Sequence, residues 1–221
     1  DVRNYKKDDR YKDIAIKRSA KLAIRRGHAE LQEKDLMVYE RQSRGQGYIV
    51  YALDASGSMK GAKIDACKRA GIALAYKAID EKDKVGLIVF GSEIKTLVEP
   101  TRDFSFLIKS ITSASASKET DLVATLKKSI ELFPNENITK HLILITDALP
   151  TIGKEPEKET LQECSIARNK GITISLIGIN LNEKGRKLAE KIVELGKGRL
   201  YIVKNIENID QIVLEDYYET A

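Results

Sequence analysis

The stretch YIVYALDASGSMKGAKIDA, residues 48–66, decides how the chain reads. Its first six residues form an unbroken apolar run that stops at Asp54. A continuous run of this length predicts a strand covered on both faces. Asp54, Ser56 and Ser58 follow at alternate positions, placing one carboxylate and two hydroxyls just past the strand. Residues 61–80 then predict a helix, with Ile64, Cys67, Ala70, Gly71, Leu74, Ala75 and Ala78 on one stripe.

Outward from this unit the same rhythm repeats. KVGLIVFG (84–91) predicts a second buried strand. EIKTLVEP (93–100) alternates polar and apolar and ends at a proline, which suits a half-exposed edge strand joined to its predecessor by a tight turn at Gly91-Ser92. Residues 103–112 predict a short helix with Asp103 as its N-cap, and residues 120–133 another that ends before Pro134. HLILITD (141–147) is a third apolar run ending in Asp, and EPEKETLQECSIARNKG is a helix closed by Gly171. ITISLIGI (172–179) predicts a fourth buried strand, residues 183–195 a helix, RLYIV (199–203) a fifth buried strand and residues 206–218 a last helix. Strand–helix alternation with buried strands implies an α/β fold. The expected core is a Rossmann-like, open, mostly parallel sheet of six strands, with one antiparallel edge strand and helices on both faces.

The first 45 residues differ. YKDIAIKRSAKLAIRRGHA has helical periodicity and ends near Gly27, and EKDLMVYERQSRG reads as a strand or extended arm. The expected division is a basic helical and extended arm over residues 1–45, too poor in apolar residues for its own core, and a main domain over 46–221. Charge follows the same division. Residues 1–46 hold 13 Lys/Arg against 8 Asp/Glu and so carry the whole net excess of +5. Such a segment reads first as a solvated helix face, and could also attract an acidic partner. Basic and aromatic residues are not interleaved and no nucleic-acid motif is present, so nucleic acid is not the expected partner.

Several classes drop out on composition. No apolar run approaches the roughly 20 residues that a membrane span requires, and no charged-then-apolar leader opens the chain. The expected compartment is the cytoplasm, with Cys67 and Cys164 as buried free thiols inside amphipathic patterns. His28 and His141 stand apart and have no cysteine partners, which is not a zinc pattern.

In an open parallel sheet, ligands gather at the carboxyl ends of the strands, where the strand order reverses. Asp54, Ser56 and Ser58 follow one such strand, and Asp147 follows another, where it is expected to face solvent. Thr120 stands at the mouth of the helix TDLVATLKKSIELF. If those two strands are neighbours, two carboxylates and three hydroxyls line one crevice. An all-oxygen donor set suits a hard cation, Mg2+ or else Mn2+ or Ca2+, and not Zn2+. Mg2+ takes six ligands and keeps waters, so a position stays open for a ligand from elsewhere.

Asp54-Ala-Ser56-Gly-Ser58, then Thr120, then Thr146-Asp147 resembles the metal-ion-dependent adhesion site of von Willebrand factor A (integrin I-like) domains. The resemblance covers about residues 46–215. It implies that Ser56, Ser58 and Thr120 touch the metal and that Asp54 and Asp147 act largely through bound waters. It also implies that an acidic side chain of a partner protein fills the open position. The longer stretch RRGHAELQEKDLMVYERQSRGQGYIVYALDASGSMKG, followed by DKVGLIVFGSEIKTLVEPT, resembles the C-terminal part of magnesium chelatase D subunits. Those subunits carry an AAA+ module upstream and work beside an AAA+ ATPase. These 221 residues contain no Gly-x-x-x-x-Gly-Lys-Ser/Thr loop. The resemblance therefore implies an AAA+ ATPase either as a separate partner or on a further segment of a longer chain. Two departures stand out: Lys118-Glu119 where the family usually has small residues, and Asp147-Ala148-Leu149-Pro150 where it often has Asp-Gly. Neither removes a ligand.

The expectation is a binding module and not an enzyme. The alternative is a Mg2+-dependent phosphotransfer or phosphatase enzyme of Rossmann-like fold. Dehalogenase-like phosphatases need a second carboxylate two residues after the nucleophilic Asp, and Ser56 occupies that place. A serine hydrolase needs Gly-x-Ser-x-Gly and a placed His, and DASGSM offers neither. The Gly-x-Gly-x-x-Gly of dinucleotide folds is also missing after the first strand. Met59, Tyr48 and Tyr51 are read as packing residues, and Asp121 as a favourable charge at a helix start.

Overall fold

The computed structural model describes residues 2–7, 9, 14–28, 30–39, 45–114, 120–147 and 150–220. The chain forms two compact units, Asp1–Arg44 and Gly45–Ala221.

In the smaller unit, β1 (Val2–Asn4) pairs antiparallel with β2 (Met37–Tyr39), and α1 (Ile16–Arg25) lies between them in sequence. The three-residue β1 escapes the sequence reading because so short a segment carries too little alternation to register. Gly27, at φ +74°, ends the helical segment as expected. Asp35 is buried and accepts hydrogen bonds from Arg26 at 3.1 Å, His28 at 2.6 Å and the Gln32 amide at 3.2 Å. Residues 40–44, the tail of the expected arm, lie outside the described residues.

The larger unit contains β3 (Tyr48–Asp54), α2 (Ala62–Asp80), β4 (Lys84–Phe90), β5 (Ile94–Thr101), α3 (Phe104–Thr112), α4 (Leu122–Leu132), β6 (Lys140–Thr146), α5 (Pro156–Asn169), β7 (Ile172–Ile179), α6 (Glu183–Gly196), β8 (Lys197–Val203) and α7 (Ile209–Thr220). The sheet order is β5-β4-β3-β6-β7-β8. Every pairing is parallel except β4–β5, where the Pro-containing strand closes one edge. The expected six-stranded mixed sheet is therefore present.

The strand period of two explains the layering. Along β3, Ile49, Tyr51 and Leu53 enter a core with Leu74 of α2, Leu107 of α3 and Val213 of α7. Val50 and Ala52 face the opposite layer with Leu126 of α4, Cys164 of α5 and Leu188 of α6. Both faces of β3 are thus dry, as its unbroken apolar run requires. Helix α2 is drawn close by Gly71, where a Cβ would stand 2.8 Å from the Tyr51 ring. The Tyr51 hydroxyl donates to the Cys67 carbonyl at 2.6 Å and fixes the height of α2 along β3. The start of α2 follows Gly61, whose φ of +76° few side chains adopt. That turn places the segment 55–60 over the carboxyl end of β3.

Two expectations need correcting. RLYIV is not a buried strand: β8 has a neighbour on one side only, most of it is half-buried or exposed, and Ile202 is 37% exposed. An apolar run reports hydrophobic content, not whether a second strand covers the edge. The helix expected to open at Thr120 instead begins at Leu122, with the Asp121 carboxylate capping the Ala124 amide at 2.9 Å. At the expected N-cap Asp103, the side chain accepts from the Phe106 amide at 2.9 Å.

Two buried polar groupings hold the sheet from within. Asp83 accepts from the Gly47 amide and the Tyr217 hydroxyl, both at 2.7 Å, tying the start of β3 to α7. At the amino end of β6, His141 Nε2 lies 3.1 Å from the Ser175 hydroxyl of β7. Ser175 donates to Asp216 of α7 at 2.8 Å and accepts from the Arg199 amide of β8 at 3.2 Å. The second Asp216 oxygen stands 3.1 Å from His141 Nε2 but is not aligned for a hydrogen bond, so that approach is an electrostatic contact rather than a directed bond. All three side chains are buried.

Candidate metal centre

Strands β3 and β6 are direct parallel neighbours, paired from Tyr48↔Lys140 to Leu53↔Ile145. The chain passes from β3 to β4 on one side and later returns to β6 on the other, so the order reverses between β3 and β6. A crevice opens at their carboxyl ends. Asp54 ends β3, and Asp147 follows the last residue of β6.

The local hydrogen bonds assemble four of the five expected residues. Asp54 is fully buried. Its Oδ1 accepts from the Ser56 amide at 2.7 Å, and its Oδ2 accepts from the Thr146 hydroxyl at 2.5 Å. With both oxygens engaged, Asp54 is a rigid anchor for the turn. The Ser56 and Ser58 hydroxyls lie 3.1 Å apart, and Ser58 Oγ donates to Asp147 Oδ1 at 2.6 Å. A continuous chain of oxygens thus runs Ser56–Ser58–Asp147, backed by Asp54. Met59 is buried beneath it as packing, as expected.

Thr120 is buried at the same edge of the sheet. The neighbouring Asp121 amide bonds to the carbonyl of Gly91, just past β4, at 2.7 Å. The Thr151 amide bonds to the Thr120 carbonyl at 3.1 Å, and the Thr120 amide to the Thr151 hydroxyl at 3.3 Å. Among the described residues, no hydrogen bond joins the Thr120 hydroxyl to the other four. The departures at Lys118-Glu119 and Ala148-Leu149 fall outside the described residues.

Three contributions escape the sequence reading. Thr146, read only as the neighbour of Asp147 in the motif, orients Asp54, and Thr151 braces Thr120. Lys63, in the first turn of α2, places its ammonium 2.5 Å from Asp147 Oδ2 and 3.1 Å from the Ser58 carbonyl. Asp147 is half-buried as a residue at the strand end expected to face solvent, but its side chain is only 2% exposed, with Ser58 and Lys63 bonded to the carboxylate.

Burial and two neighbouring carboxylates set the electrostatics of the crevice. Burial pushes the Asp54 carboxyl up from its ordinary range, against the lowering effect of its hydrogen bonds from Thr146 and Ser56, and the charge of Asp147 adds to the rise. Cys67, also buried, is pushed up to about 12 by burial first and then by the charges of Asp54 and Asp147. The two carboxylates thus lie close enough to interact, and the Lys63 ammonium sits on Asp147. Hard oxygen donors fit Mg2+ or Mn2+. Among the described residues, no group of three or more His, Cys, Asp and Glu is placed to hold a metal, so the hydroxyls would have to serve as ligands. No helix among the described residues is long and apolar enough to cross a membrane.

Comparison with known proteins agrees with this architecture. Residues 49–149 match the family model of the von Willebrand factor type A domain. Over 114 residues, 49% of the chain, the sequence is 31% identical to the magnesium-chelatase 67 kDa subunit of Heliobacterium mobile. The match spans only 17% of that subunit's length. The fold superimposes on the vWF domain of the type V pili tip protein Mfa5 from Porphyromonas gingivalis with a TM-score of 0.66. That alignment is 15% identical and covers 80% of this chain and 96% of the other. An aerotolerance-related membrane protein from Bacteroides fragilis gives a TM-score of 0.63 at 20% identity, over 78% and 99% of the two chains. Residues 49–149 thus match a von Willebrand factor type A domain, and the strand order with its reversal between β3 and β6 is the fold shared with those solved structures.

Proposed function

We propose that the domain is a divalent-cation-dependent protein–protein interaction module, serving as an adaptor beside an AAA+ ATPase in a chelatase-like complex. One observation carries the reading: Ser56, Ser58 and Asp147 form a hydrogen-bonded oxygen chain at the reversal point, with Asp54 locked behind it. Ser56, Ser58 and Thr120 would hold Mg2+ or Mn2+, with Asp54 and Asp147 acting largely through waters. When bound, the ion offers an open position to a hard, charged oxygen, and the common side chain that supplies one is a carboxylate. Asp54 and Thr146 keep the Ser56 turn in place, and Ser58 holds the Asp147 carboxylate in one orientation. The AAA+ partner is inferred from the resemblance to magnesium chelatase D subunits and the similarity to the Heliobacterium subunit. The residue two positions past Asp54 is a hydroxyl, where a dehalogenase-like phosphatase needs its acid/base carboxylate, which argues against that mechanism.

The smaller unit supplies a second attraction. Arg18, Lys21 and Arg25 line a cleft of about 480 Å³ with Leu22 and Met37, a surface suited to acidic groups. Binding of an AAA+ ATPase partner, followed by surface plasmon resonance, is expected to require Mg2+ and to be lost in EDTA. Association should slow as salt rises above 0.1 M, where charges are screened over about 10 Å. Binding that is indifferent to EDTA would reject the metal bridge and leave the basic cleft as the contact.

A further inference from the structure

Lys63 occupies an unusual place. It stands in the first turn of α2, where the helix dipole disfavours a cation and favours an anion. Its position is thus explained by its contacts and not by helix stability. Its ammonium bridges Asp147 Oδ2 at 2.5 Å and the Ser58 carbonyl at 3.1 Å. Ser58 in turn donates to the other Asp147 oxygen at 2.6 Å. Both oxygens of Asp147 are therefore taken, one by a hydroxyl and one by a full positive charge.

The two bonds differ in what they permit. A hydroxyl that donates to Asp147 still has lone pairs free for a cation, so the Ser58–Asp147 bond is compatible with a metal. The ammonium is not. It has three donors and no acceptor, and its charge has the same sign as the metal's. The side chains also differ in freedom. The Asp147 side chain is 2% exposed on a short stem, whereas Lys63 is 28% exposed on a flexible four-carbon stem. If one of them moves, it is the lysine.

We propose that Lys63 is a built-in counter-ion of this site, competing with a divalent cation for Asp147 and swinging out to solvent when the cation is held. The inference rests on the cation-binding reading above and adds a device to it. Without metal the ammonium neutralises Asp147 and keeps Ser58 in place. With metal the same ammonium is released at the rim, next to the position offered to the partner's carboxylate. Affinity for the cation is then set in part by how firmly Lys63 holds on.

Lys63→Met keeps the length of the stem and removes the charge. Calorimetric titration of the full chain with Mg2+ and with Mn2+ should show the variant binding about tenfold more tightly than wild type, the equivalent of one charge-assisted hydrogen bond no longer displaced. In EDTA the variant should melt lower than wild type, and saturating Mg2+ should close that gap. Lys63→Arg retains the charge and should bind like wild type; it also serves if the Met variant folds poorly. Tight binding by Lys63→Met with none by wild type would support the competition in its strongest form. Equal affinities, or an equal melting deficit with and without Mg2+, would overturn the counter-ion role while leaving the cation site standing. Weaker binding by Lys63→Met would also overturn it, making Lys63 an orienting residue for Asp147. Absence of binding by wild type and both variants would overturn the cation reading and this inference together.

Discussion

Asp147→Ala is expected to weaken Mg2+ and Mn2+ binding by roughly 100-fold, as loss of an orienting carboxylate at a metal site does, and to abolish cation-dependent partner binding. The fold should survive. The groups orphaned by the change are the Ser58 hydroxyl, on an exposed residue, and the Lys63 ammonium, which is 28% exposed. Both can turn to water, so the stability cost should stay within about 1 kcal/mol. Calorimetry and a thermal melt on the same sample check the two halves separately. A variant that keeps wild-type affinity would remove Asp147 from the site. A variant that unfolds would show that the Ser58–Asp147–Lys63 link is structural.

The second large effect is expected far from the crevice. Asp216→Ala should destabilise the domain by about 3 kcal/mol. The Ser175 hydroxyl would lose its acceptor, and the polar edge of His141 would face an apolar void. All three residues are buried, so the orphaned groups have little bulk water to turn to. For a domain of this size the melting temperature should fall by roughly 6–12 °C. Asp216→Asn retains an oxygen for Ser175 and should cost less. A melt within about 2 °C of wild type for Asp216→Ala would mean that the cluster contributes little.

Much of this architecture is legible from local patterns. YIVYAL and LILI have no polar interruption, and ITISLIGI carries only the small hydroxyls of Thr173 and Ser175, because helices cover both faces of β3, β6 and β7. EIKTLVEP announces its edge position through alternation and its proline. RLYIV misleads for the same physical reason: its apolar residues pack against α6 and α7 from an edge, and nothing within five residues encodes the missing neighbour. The start of α4 shifts from Thr120 to Leu122 because two adjacent residues could each have capped it, and the Asp121 carboxylate made the bond.

The crevice is legible only in part. Asp54, Ser56 and Ser58 fall within five residues, so their clustering is written in the chain, and Asp147 joins them because β6 lies beside β3. Lys63 is invisible in the sequence, since a lysine in a helix ordinarily reads as a solvated charge. Its nine-residue offset from Asp54 gains meaning only once the Gly61 turn folds α2 back over the strand end. Thr146 is visible beside Asp147 in the motif, but its bond to Asp54, across 92 positions of sequence, is not. His141, Ser175 and Asp216 come from three elements, and no spacing rule links them.

The central claim, that this crevice holds a divalent cation, is tested most directly by isothermal titration of Mg2+ and Mn2+ into wild type and Asp54→Asn. Asparagine can keep both bonds of the buried anchor, accepting from the Ser56 amide and donating to Thr146, so the variant removes charge without removing structure. The account predicts one saturable site per chain in wild type and no measurable heat of binding in Asp54→Asn at the same melting behaviour. Identical heats from the two proteins would contradict it.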